Sequence, residues 1–87
     1  MKKQSRDEIK KTVIEIVAKV LNVDSNEITE DKELDTDLRI DSLALYEIVV
    51  DIEDYYSLRI SNDEADDLKT VREAIDFIEQ KVNALNH

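Results

Sequence analysis

Apolar residues recur every three or four positions in three stretches of this chain, and between the first two stretches the recurrence disappears. Ile9, Val13, Ile16, Val17, Val20 and Leu21 share one side of a first helix, which is predicted to end near Asn22. Leu45, Ile48, Val49, Ile52 and Tyr56 do the same over 42–57. Val71, Ala74, Ile75, Ile78, Val82 and Leu85 line a last helix, with Phe77 beside them. The starts are marked as well. Ser5 with Glu8, and Thr70 with Glu73, form capping boxes in which each side chain accepts from the other residue's backbone N–H. Asp41 is the natural N-cap of the middle helix, its carboxylate placed to accept from Leu43 or Ala44 N–H.

From Val23 to Ile40 polar residues dominate, giving a loop of about 18 residues, a length that calls for internal anchors. Val23, Ile28, Leu34 and Leu38 are the expected anchors, with a single helical turn in Ile28–Leu34. Asp31, Glu33, Asp35 and Asp37 alternate as in a calcium loop, but the glycine and the twelfth-position glutamate of such loops do not follow in register, so no dedicated metal site is expected. Leu58 and Ile60 lead into Ser61 or Asn62 as the cap of a short helix over 63–68. Tyr56 is placed in the core and Tyr55 partly covered, in preference to an aromatic platform. The pattern as a whole predicts an all-α four-helix bundle with three longer helices, a short third one and a long first loop. It forms a single domain, 1–87, with 1–4 and 86–87 as frayed tails.

Composition narrows the function. The chain has no Gly, Pro or Cys, which favours helices joined by polar loops and excludes a disulfide framework. Its one histidine is His87, so a self-contained Ser-His or Cys-His catalyst is not expected, and any thiol chemistry needs an imported thiol. Net charge is −10, concentrated in residues 24–67, where sixteen acids face three bases. Such a surface repels nucleic acid and suits proteins with basic patches. No apolar run reaches the ~20 residues of a membrane span. The first helix mixes Lys10, Lys11 and Lys19 with Asp7 and Glu15, which argues against a membrane-surface helix. A cytoplasmic monomer is expected.

The middle helix carries a second apolar set that core packing does not use. Leu43, Tyr46 and Val50 form a stripe centred roughly 140° from the core stripe, flanked by Glu47 and Asp54. An apolar strip edged by carboxylates fits a partner groove with a basic rim. At the start of the same helix stands Ser42, its hydroxyl at the electropositive end, where an attached phosphate is well placed.

Asp41-Ser42-Leu43, continued by Glu47, Glu53-Asp54, Ile60–Ala65 and Thr70–Ile78, resembles the acyl carrier proteins over nearly the whole chain. The resemblance implies a non-catalytic carrier whose Ser42 holds 4′-phosphopantetheine, transferred from coenzyme A by a phosphopantetheinyl transferase. The arm's thiol would carry acyl groups as thioesters between enzymes of fatty acid or related lipid and polyketide synthesis. It further implies that Asp41 caps the helix and helps orient the transferase, and that an aliphatic core parts to admit an acyl chain. Leu43, Tyr46 and Val50 would be the contact stripe, with Glu47, Glu53 and Asp54 meeting basic residues of successive partners. Three positions depart from the family: Arg39 stands where glycine is usual, Ala44 where an acid often follows the motif, and Ser61 where proline is common. Arg39 sets a positive charge three residues before the serine. Two other readings fit the residues: an acidic module that binds a partner without a prosthetic group, and a specialised carrier of aminoacyl or polyketide cargo.

Overall fold

Each helix begins where a side chain closes its first turn. Ser5 Oγ accepts from Glu8 N–H at 3.2 Å while Glu8 Oε1 accepts from Ser5 N–H at 3.1 Å. Ser61 with Glu64 and Thr70 with Glu73 repeat the arrangement. Between these starts a computed structural model, describing residues 5–85, places α1 (Arg6–Leu21), a 3₁₀ turn (Ser25–Glu27), α2 (Ser42–Tyr56), α3 (Asn62–Asp66) and α4 (Val71–Leu85). Asn22 and Ser57 end α1 and α2 in the left-handed conformation that glycine usually supplies. No strand occurs among the described residues; one isolated antiparallel bridge joins Glu33 to Thr70.

α1 packs against both α2 and α4. The most deeply buried side chains are Ile9 and Val13 of α1 and Val71, Ile75 and Ile78 of α4. Ile48 and Ile52 of α2 close over them, and Ile28, Leu34, Ile40, Leu58, Ile60 and Ala65 complete the core. Each such isoleucine contributes about 1.5–3 kcal/mol by leaving water. Among the described residues no polar or charged side chain is buried.

The long loop is fastened at one end of the bundle. Leu34 N–H donates to Lys69 C=O, and the N–H groups of Val71 and Arg72 donate to Lys32 and Glu30. The Glu30 carboxylate gathers three cations from two helices: Arg6 at 2.9 Å, Lys10 at 2.9 Å and Arg72 at 3.5 Å. Arg6 also binds Asp76 at 2.8 Å. Hydrogen bonds from Arg6 first, then Lys10, hold the Glu30 carboxyl down at about 2. The alternating acids act locally: Asp37 accepts from Glu33 N–H, Asp31 from the Thr29 hydroxyl, and Glu33 from the Thr36 hydroxyl.

Several expectations need correction. The helical turn lies at Ser25–Glu27, because Asp24 and Glu27 form a capping box of their own ahead of Ile28. Ile28 and Leu34 are buried and Leu38 packs against the core, but Val23 is 40% exposed and anchors little. Ser57 caps α2 from outside it, and Ser61, not Asn62, caps α3, which starts at Asn62 and stops at Asp66. In α1, Ala18 is buried where Ile16 is only half-covered. Tyr56 borders the core as expected, whereas Tyr55 is 64% exposed, touching Tyr56 edge-on with its ring. The tails 1–4 and 86–87, with His87, lie outside the described residues, as does the side chain of Leu85.

Candidate functional site

α2 opens with Asp41 in an extended conformation, its Oδ1 accepting from Ala44 N–H at 2.8 Å and its C=O from Leu45 N–H at 2.9 Å. The cap therefore takes the Ala44 donor of the two weighed from sequence, and the N–H groups of Ser42 and Leu43 have no partner among the described residues. Ser42 is exposed, and its hydroxyl makes no hydrogen bond with the described residues. An exposed hydroxyl beside two open N–H groups fits a phosphodiester joined to Ser42 Oγ.

Space for the rest of an arm adjoins the serine on two sides. One cleft of about 360 Å³ runs between the loop and α3, with Ser42, Ile40, Leu45, Ala65 and Lys69 among its walls. A second, of about 270 Å³, lies between α2 and α3 and includes Ser42, Tyr46, Val49 and Asn62. Beneath them a void of about 30 Å³ has only aliphatic walls, among them Val13, Leu45, Ile52, Leu68 and Ile78. It has room for about one water molecule, so a hydrocarbon chain enters only if the helices part.

The second stripe is where the periodicity put it. Leu43 is 69% and Tyr46 61% exposed, and Val50 is half-buried. Glu47 and Asp54 are exposed beside them. Glu53 differs: its carboxylate accepts from Ile60 N–H at 2.7 Å and holds the segment that follows α2. Ser61 stands in for the usual proline by capping α3 with its hydroxyl, and Ala44 supplies the N–H bound by Asp41. Arg39 adopts φ 54°, a left-handed backbone on a bulky residue. Sequence reasoning marked Arg39 as unusual, and its backbone here is one that glycine adopts at no steric cost. Lys81 was not singled out, yet it ties α3 to α4 through Glu64 at 3.0 Å and reaches the Arg59 C=O at 3.1 Å.

Comparison with known proteins agrees with this geometry. Residues 11–78 match the family model described as a phosphopantetheine attachment site. An acyl carrier protein of Porphyromonas gingivalis is 37% identical over 75 residues, covering 86% of this chain and 96% of its own. One from Exiguobacterium sibiricum is 38% identical over 78 residues, covering 90% and 99%. The crystal structure of an acyl carrier protein from Thermotoga maritima superposes with a TM-score of 0.78 at 24% identity, covering 92% and 93%, which speaks to the fold. With the serine, its cap and the helical frame in place, this chain belongs to the acyl carrier protein family of phosphopantetheine-attachment domains.

Proposed function

We propose that residues 1–87 act as a single carrier domain in which Ser42 is the attachment point of 4′-phosphopantetheine. The carrying observation is the exposed Ser42 hydroxyl on the first turn of α2, without a hydrogen-bond partner among the described residues and beside N–H groups that the Asp41 cap leaves open. When bound, the group supplies a thiol that holds an acyl chain as a thioester. Ser42 Oγ offers the oxygen that is modified, and the first-turn N–H groups of Ser42 and Leu43 stabilise negative charge beside it. Asp41 fixes where the helix starts and so where the hydroxyl points.

Leu43, Tyr46 and Val50 supply the contact area for a phosphopantetheinyl transferase and for acyl-processing enzymes of fatty acid or related synthesis in the cytoplasm. Glu47 and Asp54 steer basic partners, and Glu53 adds charge while anchoring Ile60. Exposed pairs of this kind contribute little individually, which suits rapid exchange between partners. The test is the intact mass after incubation with a phosphopantetheinyl transferase, coenzyme A and Mg²⁺. Wild type should gain one phosphopantetheine and Ser42→Ala none; a gain on the variant, or none on either folded protein, would overturn the assignment.

A further inference from the structure

Residues 61–68, which carry α3, are fixed at both ends. Glu53 Oε2 accepts from Ile60 N–H at 2.7 Å and ties the first end to α2. At the second end Glu73 Oε1 accepts from Lys69 N–H at 2.7 Å and from Thr70 N–H at 3.1 Å, while Lys69 C=O accepts from Leu34 N–H at 2.9 Å. Between these ends little ties the segment to the frame. α3 has five residues, too few to stand alone as a helix, and Ala65 is its buried side chain. Among the described residues one hydrogen-bonded ion pair joins α3 to another helix. Its cation is Lys81 of α4, whose Nζ lies 3.0 Å from Glu64 Oε2 and donates to Glu64 Oε1 at 3.2 Å and to Arg59 C=O at 3.1 Å. One ammonium thus grips the chain on both sides of Ile60. It also stands 5.4 Å from the centre of the Phe77 ring, one turn earlier in α4.

The segment covers apolar space. Ile60 and Leu68, at its two ends, are walls of the aliphatic void, and Asn62, Ala65 and Asp66 line the clefts at Ser42. Leu45 borders the void and both clefts, so they share a wall. Lifting 61–68 between its fixed ends joins them. The walls from α1 and α4, Val13 and Ile78 among them, belong to the most deeply buried layer and yield less readily.

We propose that Lys81 latches residues 61–68 as a flap over the void, and that releasing this latch makes room there for the hydrocarbon of a chain tethered at Ser42. The occupant rests on the function proposed above; the latch does not. Both partners of the ion pair are partly exposed, so the latch is weak, and its loss raises the open population about threefold.

The experiment uses benzene, far larger than the void, as the probe of opening in the unloaded protein. Followed by methyl shifts in NMR, benzene should reach Ile60, Leu68 and Ile78, and should bind Lys81→Met about threefold more tightly than wild type. Methionine keeps a long side chain over Phe77 and removes the charge and the donors. Glu64→Gln, which still completes the box with Ser61, should give part of that gain, and the double variant no more than Lys81→Met alone. In a second arm, octanoyl-loaded protein made from octanoyl-coenzyme A, verified by mass, should shift the same three methyls. No benzene shift in either protein, equal affinity in wild type and Lys81→Met, or additive gains in the double variant would overturn the latch. So would shifts centred on Val13 and Val17 that leave Leu68 unmoved, since the core would then part along α1. Loaded octanoyl that leaves the three methyls unmoved would overturn the occupant. Failure of the mass gain counts against the carrier reading, and the benzene arm decides the latch without it.

Discussion

The end of the bundle where α1, the long loop and α4 meet is held differently from the face where α2 begins and α3 follows. At the first, Glu30 draws Arg6, Lys10 and Arg72 together, and backbone hydrogen bonds join the loop to the start of α4. At the second, the fastenings are mostly local: the Asp41 cap, the Ser61–Glu64 box, the Glu53 carboxylate on Ile60 N–H, and an ion pair from Lys81 to α3. The difference separates a frame from a working face. The Glu30 cluster lies outside the clefts at Ser42, although the larger cleft takes Leu34 and Lys69 of the loop fastening and Ile40 and Ala65 of the core among its walls.

The sharpest way to break this division is to compare two leucine-sized truncations. Ile75→Ala, at a fully buried site, should cost about 2–5 kcal/mol in urea unfolding. Leu43→Ala, at 69% exposure, should change stability by less than about 0.5 kcal/mol yet slow transferase modification markedly. Equal destabilisation by both would erase the distinction between frame and face.

A smaller effect sharpens the frame itself. Glu30 is held at about 2, below its ordinary 4.5, so its contribution is complete above the ordinary value and is lost as pH falls from about 4.5 towards 2. Melting temperature followed from neutral pH downwards should show that loss in wild type. Glu30→Gln should melt several degrees lower near neutrality and fall less steeply over the acid range. Parallel curves would mean that the cations around Glu30 contribute nothing to the fastening.

The smallest expected effect concerns the face. Lys81→Met removes the ion pair to Glu64, at a cost below about 1 kcal/mol because both groups are partly exposed. Hydrogen exchange at residues 62–66 should nevertheless accelerate more than in α1 or α4. Unchanged exchange in α3 would show that Ala65, its buried anchor, holds the helix alone.

What could be read from sequence divides along the same line. Caps at Ser5, Asp41 and Thr70 and the apolar stripes of three helices are local patterns, and the structure keeps them. The Asp24–Glu27 box was equally local, and weighing it would have placed the helical turn correctly. The Glu30 cluster was not legible, because its members lie far apart in the chain and nothing about each alone marks it. Tyr55 and Val23 were misplaced for a related reason: their cover depends on neighbouring segments, and both face open grooves. At the site, the stripe followed from periodicity and the place of Ser42 on the first turn from the Asp41 cap, while its attachment role was implied only by the family resemblance. The role of Glu53 at Ile60 and the left-handed backbone at Arg39 needed coordinates.

The side-chain caps carry a consequence for how the chain reaches this structure. Because each helix start is set by residues no more than three positions apart, its first turn can form before distant segments meet. Structures rich in such short-range contacts fold quickly. The chain also has no proline, so prolyl isomerisation cannot introduce a slow phase on the scale of about 10–100 s. The starts of the helices are thus set by local instructions.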